Sequence, residues 1–110
     1  MPNETICYVG DTARVPYGNK SKQRIQQFSK EIVKWLIQKN CKIIIVACNT
    51  ASSLAIEILK KEFSIPIFGV INPGVDYAIN ATKTYNIGVL GTEATIISDA
   101  YGEKIKSNNP

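Results

Sequence analysis

Residues 42–52, Lys42-Ile43-Ile44-Ile45-Val46-Ala47-Cys48-Asn49-Thr50-Ala51-Ser52, decide how the chain is read. The first half is continuously apolar and β-branched, which predicts a strand covered on both faces. The second half turns polar and small at Asn49-Thr50 and opens a helix whose buried face holds Ala51, Ala55, Ile58 and Leu59. A strand that runs straight into a helix is the building unit of a parallel α/β sheet.

The same alternation extends in both directions. Upstream, residues 6–10 (ICYVG) predict a strand ending at Gly10-Asp11-Thr12. From Ser21, Ile25, Phe28, Ile32, Trp35 and Leu36 recur at helical spacing, with Lys22, Lys30, Lys34 and Lys39 on the other faces. Downstream, residues 66–71 (PIFGVI) predict a third strand. Asn72-Pro73-Gly74 forms a turn or helix entry, and Val75, Ala78 and Ile79 mark a short helix. Residues 86–91 (NIGVLG) predict a fourth strand, and Ala94, Ile97, Tyr101 and Ile105 fall on one face of a last helix, opened by Thr92 and ending in the polar residues 107–110. The order β-α-β-α-β-α-β-α predicts an α/β fold with a parallel, doubly wound sheet.

Composition narrows the chemistry. A chain of 110 residues with 45% apolar content suits one small globular unit. Its longest apolar run, residues 43–48, is far short of the roughly 20 residues a transmembrane helix needs, so no membrane partner is expected. The N-terminus lacks the basic, apolar and small-residue segments of a secretory signal, which leads to the expectation of a cytoplasmic protein with Cys7, Cys41 and Cys48 as free thiols. Three cysteines without Cys-x-x-Cys spacing, and no histidine, leave no metal-ligand set and no Cys-His or Ser-His pair. The net charge of +4 comes from dispersed lysines without interleaved aromatics, which argues against a nucleic-acid surface.

Ligands of parallel sheets sit beyond the carboxyl ends of the strands, where helix N-termini point their N–H groups. Residues 11–20, 48–53 and 92–95 are expected to meet there. Cys48, at a strand end and just before a helix, is placed where the helix dipole favours a thiolate that acts as base or nucleophile, although a cysteine there also serves as plain packing. Cys7 and Cys41 do not face that edge and are read as structural. Asn49, Thr50, Thr92 and Thr95 offer short neutral donors suited to a carboxylate, and equally to helix capping. Pro16, Tyr17 and Gly18 form a loop able to present N–H groups to a small anion. A Cys-x5-Arg phosphatase is excluded by Leu54 and a Cys-x-x-Cys oxidoreductase by Ala51.

Gly10-Asp11-Thr12-Ala13-Arg14-Val15-Pro16-Tyr17-Gly18, Val46-Ala47-Cys48-Asn49-Thr50-Ala51-Ser52 and Gly69-Val70-Ile71-x-Pro73-Gly74, followed by Thr92-Glu93-Ala94-Thr95 with Ser98 and Tyr101, resemble in order and spacing the glutamate racemases of the aspartate/glutamate racemase family. The resemblance implies a cofactor-independent interconversion of L- and D-glutamate for peptidoglycan synthesis. In that reaction two cysteines work on opposite faces of the α-carbon. It implies Cys48 as the first-domain cysteine, acting on the D-enantiomer, and Pro16, Tyr17, Gly18, Asn49, Thr50, Thr92 and Thr95 as substrate-contacting positions.

It also implies that residues 1–82 are part of the first domain and 83–110 the opening of the second. The family's first strand and second catalytic cysteine have no counterpart among these residues. The isolated chain is therefore expected not to racemise glutamate. The competing expectations are an aspartate- or hydantoin-type racemase, an inactive remnant, and one half of a split enzyme that needs a companion chain or a second copy.

Overall fold

The computed structural model describes residues 2–108. Asn109 and Pro110, where the sequence puts the polar end of the last helix, and Met1, where the first predicted domain begins, lie outside the described residues. The described elements are a 3-10 turn (Tyr17–Asn19), α1 (Lys22–Gln38), β1 (Ile44–Val46), α2 (Asn49–Leu54), α3 (Ile56–Glu62), β2 (Ile67–Gly69), α4 (Ile71–Ala81), α5 (Glu93–Ile97) and α6 (Ala100–Asn108).

β1 and β2 pair in parallel, with Ile44 opposite Ile67, Ile45 opposite Phe68 and Val46 opposite Gly69. The connection through α2 and α3 is the crossover that parallel neighbours require. Ile44 and Ile67 turn inward onto a core made by Ile25, Val33 and Leu36 of α1 with Ala51, Ala55 and Leu59. Burying a side chain of this size stabilises by roughly 1.5–3 kcal/mol relative to leaving it in water. Ile45 and Phe68, adjacent on the opposite face, remain exposed.

Helix α1 starts where the Ser21 side chain accepts from the Arg24 N–H at 3.3 Å, an N-cap that satisfies one of the four orphan donors. Its buried stripe is Ile25, Phe28, Ser29, Val33 and Leu36. Ile32 only flanks the stripe, and Trp35 lies outside it, with its ring covered by Lys39 Nζ at 5.1 Å from the centroid. The helix ends with Asn40 at φ 59, a left-handed conformation that asparagine tolerates.

Two expected strands do not form. Residues 6–10 and 86–91 belong to no strand and have no ladder partner among the described residues. Ile6 and Tyr8 are 77% and 85% exposed, and Leu90 is 99% exposed. A strand is a property of a pair, and hydrophobic content without a neighbour offering N–H and C=O groups does not make one. The α/β class and the parallel pairing stand, with β1 and β2 as the described sheet.

The last helix is also broken. Asp99 at φ 50 separates α5 from α6, and Ser98 Oγ donates to the Thr95 carbonyl at 2.7 Å. Ile97, expected on the buried face, is exposed, whereas Tyr101 and Ile105 are half-buried. A Cβ at Gly102 would displace the Asp99 carboxylate, an exposed side-chain end that is free to swing aside. No described helix is long and apolar enough to cross a membrane.

Candidate active site

Cys48 follows β1 and is the N-cap residue of α2, in extended conformation at φ −81, ψ 123. Its carbonyl accepts from the Ser52 N–H at 2.8 Å, which starts the helix, but its side chain makes no capping bond. The sulfur is therefore exposed and uncommitted. Ser52 ties the ends of both strands together: its hydroxyl donates to the Val46 carbonyl at 2.8 Å and accepts from the Val70 N–H at 3.2 Å. Gly69 makes this possible, because a Cβ there would lie 2.9 Å from Ile56 Cγ1 and 3.0 Å from Ser52 Oγ.

The three loops meet. Thr50 Oγ1 and Thr92 Oγ1 are 2.7 Å apart, and Thr92 Oγ1 lies 3.0 Å from Thr95 Oγ1. Thr92 also caps α5 by accepting from the Thr95 N–H at 3.4 Å, so capping and clustering use the same hydroxyl. Thr50 and Thr95 are each only 1% exposed, while Thr92 faces solvent. Gly18 presses against this cluster, and a Cβ on it would sit 2.7 Å from Thr92 Cβ. Pro16, whose peptide bond with Val15 is cis, precedes the turn that carries Tyr17 and Gly18.

The Tyr17 hydroxyl donates to Asp11 Oδ2. Its ionisation is pushed well up, first by burial, then by the hydrogen bond to and charge of Asp11, with a further contribution from a Cys48 thiolate and an opposing one from Arg14. Tyr17 thus stays a neutral donor over the ordinary pH range. Asn49 is exposed at the first turn of α2, beside Cys48.

Cys7 is exposed and Cys41 half-buried, and both are free thiols. The Cys41 thiol is pushed up, first by that burial and then by the neighbouring Cys7. Lys42 Nζ and Glu4 Oε2, 2.8 Å apart, hold the same two segments together. Asp11 and Arg14, present in the Gly10–Gly18 motif but not singled out as site positions, also border the Tyr17 turn. Arg14 Nε donates to Asp11 Oδ2 at 2.7 Å. The available signal was two opposite charges three residues apart in a loop otherwise built from small and apolar side chains. Two concavities occur elsewhere, one along α1 at Gln23, Gln27 and Lys30, the other between α4 and α6 at Asn72, Asp76 and Lys104. Neither includes Cys48, whose edge is open.

The family model described as Asp/Glu/Hydantoin racemase matches residues 1–109. The chain belongs to that racemase family. It is 54% identical over 105 residues to the glutamate racemase of Aquifex aeolicus, covering 96% of this chain and 41% of that one. It is 48% identical over 110 residues to the glutamate racemase of Geobacter metallireducens, covering 100% of this chain and 41% of that one. Among solved racemases, that of Bacillus anthracis superposes with a TM-score of 0.94 at 44% identity, covering 98% of this chain and 41% of that one. A Francisella tularensis glutamate racemase solved with D-glutamate superposes at 0.87 and 44% identity, covering 99% and 40%. The chain therefore spans about two-fifths of the length of the racemases it matches.

Proposed function

We propose that this chain forms one half of a glutamate racemase site, in which Cys48 is the acid-base thiol on one face of the substrate α-carbon. The observation that carries this reading is an exposed sulfur free of capping, at a strand-to-helix junction beside Tyr17 and the Thr50–Thr92–Thr95 hydroxyl cluster. Similarity to glutamate racemases over nearly the whole chain supports glutamate as the substrate, as does a relative solved with D-glutamate.

In the proposed reaction the Cys48 thiolate takes the α-proton of D-glutamate, and a second thiol on the opposite face delivers a proton to the planar carbanion, giving L-glutamate. The reverse sequence makes D-glutamate for peptidoglycan. Removing a proton from so weak a carbon acid requires donors already in place as charge develops. Backbone N–H groups at Asn49 and Gly18, the Asn49 amide, and the hydroxyls of Thr50, Thr92 and Thr95 are assigned to the substrate carboxylates. Pro16 and Tyr17 hold the turn that closes over them. No cofactor takes part.

Neither Cys7, which is exposed ahead of the Asp11 loop, nor Cys41, just past the end of α1, lies at the Cys48 edge, and neither is assigned as the second thiol. We assign that role to a polypeptide outside these 110 residues, whether a companion chain or a further length of the same one. We retain residues 1–82 and 83–110 as parts of two domains, in which case the Thr50–Thr92 hydrogen bond joins them.

The test is a chimera in which these residues replace the matching two-fifths of the Aquifex aeolicus racemase. The expected result is interconversion of D- and L-glutamate, with aspartate turned over at least tenfold more slowly, and no inversion by the 110-residue polypeptide alone. A folded chimera without glutamate turnover, or one that prefers aspartate, overturns the reading.

A further inference from the structure

The loop carrying Tyr17 contains a guanidinium that the proposed chemistry does not use. Arg14 is a natural candidate for holding a substrate carboxylate, since its planar fork matches that group. Its contacts point elsewhere. Arg14 Nε donates to Asp11 Oδ2 at 2.7 Å, and Nη1 donates to Glu31 of α1. Glu31 is itself held by Gln27 Nε2 at 3.2 Å. One face of the guanidinium is covered by the Phe28 ring, 4.1 Å from Cζ to the centroid. Phe28 also packs tilted against Tyr17, with centroids 6.0 Å apart.

The Asp11 oxygen bonded by Arg14 is the one that accepts from the Tyr17 hydroxyl. Asp11 is mostly buried, so its orientation is set by these two donors. We propose that Arg14, gripped by Glu31 and Phe28, is a positioning residue that aims Asp11 at the Tyr17 hydroxyl and thereby holds the Tyr17–Gly18 turn against Thr92. It does not bind the substrate carboxylate. A lysine cannot take its place, because a single ammonium does not span two carboxylates while stacking on a ring.

That the turn borders a ligand rests on the function proposed above. The clamp does not, and its test contains no substrate. The chain labelled with carbon-13 at tyrosine Cζ is titrated by NMR, and Tyr17 is assigned by its loss in Tyr17→Phe. The charged groups acting on Tyr17 are Asp11, Arg14 and Cys48. As a mere neighbouring cation, Arg14 eases ionisation of Tyr17, so removing it would push the phenol higher. As a positioning residue, its removal frees Asp11, so the hydrogen bond that raises the phenol is lost and its ionisation falls toward the ordinary value.

The expected result for Arg14→Met is therefore a fall, with Arg14→Lys failing to restore the original titration. Glu31→Gln, a substitution at an exposed side chain that leaves folding intact, gives a smaller fall in the same direction. A Tyr17 titration that rises in Arg14→Met, is restored by Arg14→Lys, or does not move in Glu31→Gln overturns the proposal. If Arg14→Met does not fold, the Glu31→Gln titration decides alone. Loss of glutamate turnover in the chimera leaves these titrations unaffected, so the two failures are separable.

Discussion

Residues 6–10 and residues 43–46 are built from the same kinds of side chain, yet Ile44 is 4% exposed and Ile6 77%. The difference lies in what surrounds each. β1 has β2 alongside it and the side chains of α1, α2 and α3 packed on one face, whereas residues 6–10 have no ladder neighbour among the described residues. The stretch at 86–91 behaves like the first, with Leu90 fully turned to water. A strand-forming sequence states a preference, and the pairing partner decides whether it is met. The consequence for function is that the Cys48 end of the candidate site stands on the paired half, while Tyr17, Gly18, Thr92 and Thr95 follow the unpaired stretches. Cys48 and Ser52 are anchored by β1 and α2.

The largest effect expected from this contrast is at Leu59, fully buried between α1 and the sheet. Leu59→Ala should cost about 2–5 kcal/mol in urea denaturation, because it removes buried methyl groups and leaves a cavity. Gly69→Ala should cost about 1–3 kcal/mol, since the added Cβ would press on Ile56 and Ser52 where the strands end. The smallest effect is expected at Leu90→Ser, within about 0.5 kcal/mol of the parent, as for other exposed positions. A cost at Leu90 comparable to that at Leu59 would break the comparison, because it would mean that the 86–91 stretch is packed in solution.

The sequence carried the fold class and the meeting of three loops further than it carried the individual strands. The period of α1 is unambiguous, and the passage from β1 into α2 at Cys48 follows from an apolar run meeting Asn49-Thr50. Convergence of the three loops is also legible, since parallel strands deliver their carboxyl ends to one edge. Periodicity could not say whether Val33 or Trp35 faces the core. The two lie only two positions apart, and Val33 takes the buried place while the larger ring sits at the surface under Lys39. Nor could it reveal the break at Asp99, because the apolar spacing continues through it while the backbone turns. The Asp11–Arg14–Glu31 chain was hidden for another reason: Glu31 lies seventeen positions from Arg14, and only the packing of α1 against the loop joins them.

The central claim is that Cys48, alone among the three thiols of this chain, handles the α-proton. Replacing each in turn within the chimera and measuring kcat for D-glutamate tests it directly. The account predicts that Cys48→Ala loses about a thousandfold or more, in line with removal of an acid-base group, while Cys7→Ala and Cys41→Ala stay within a few-fold of the parent. A Cys48→Ala protein that still inverts glutamate at near-parental rate would contradict it.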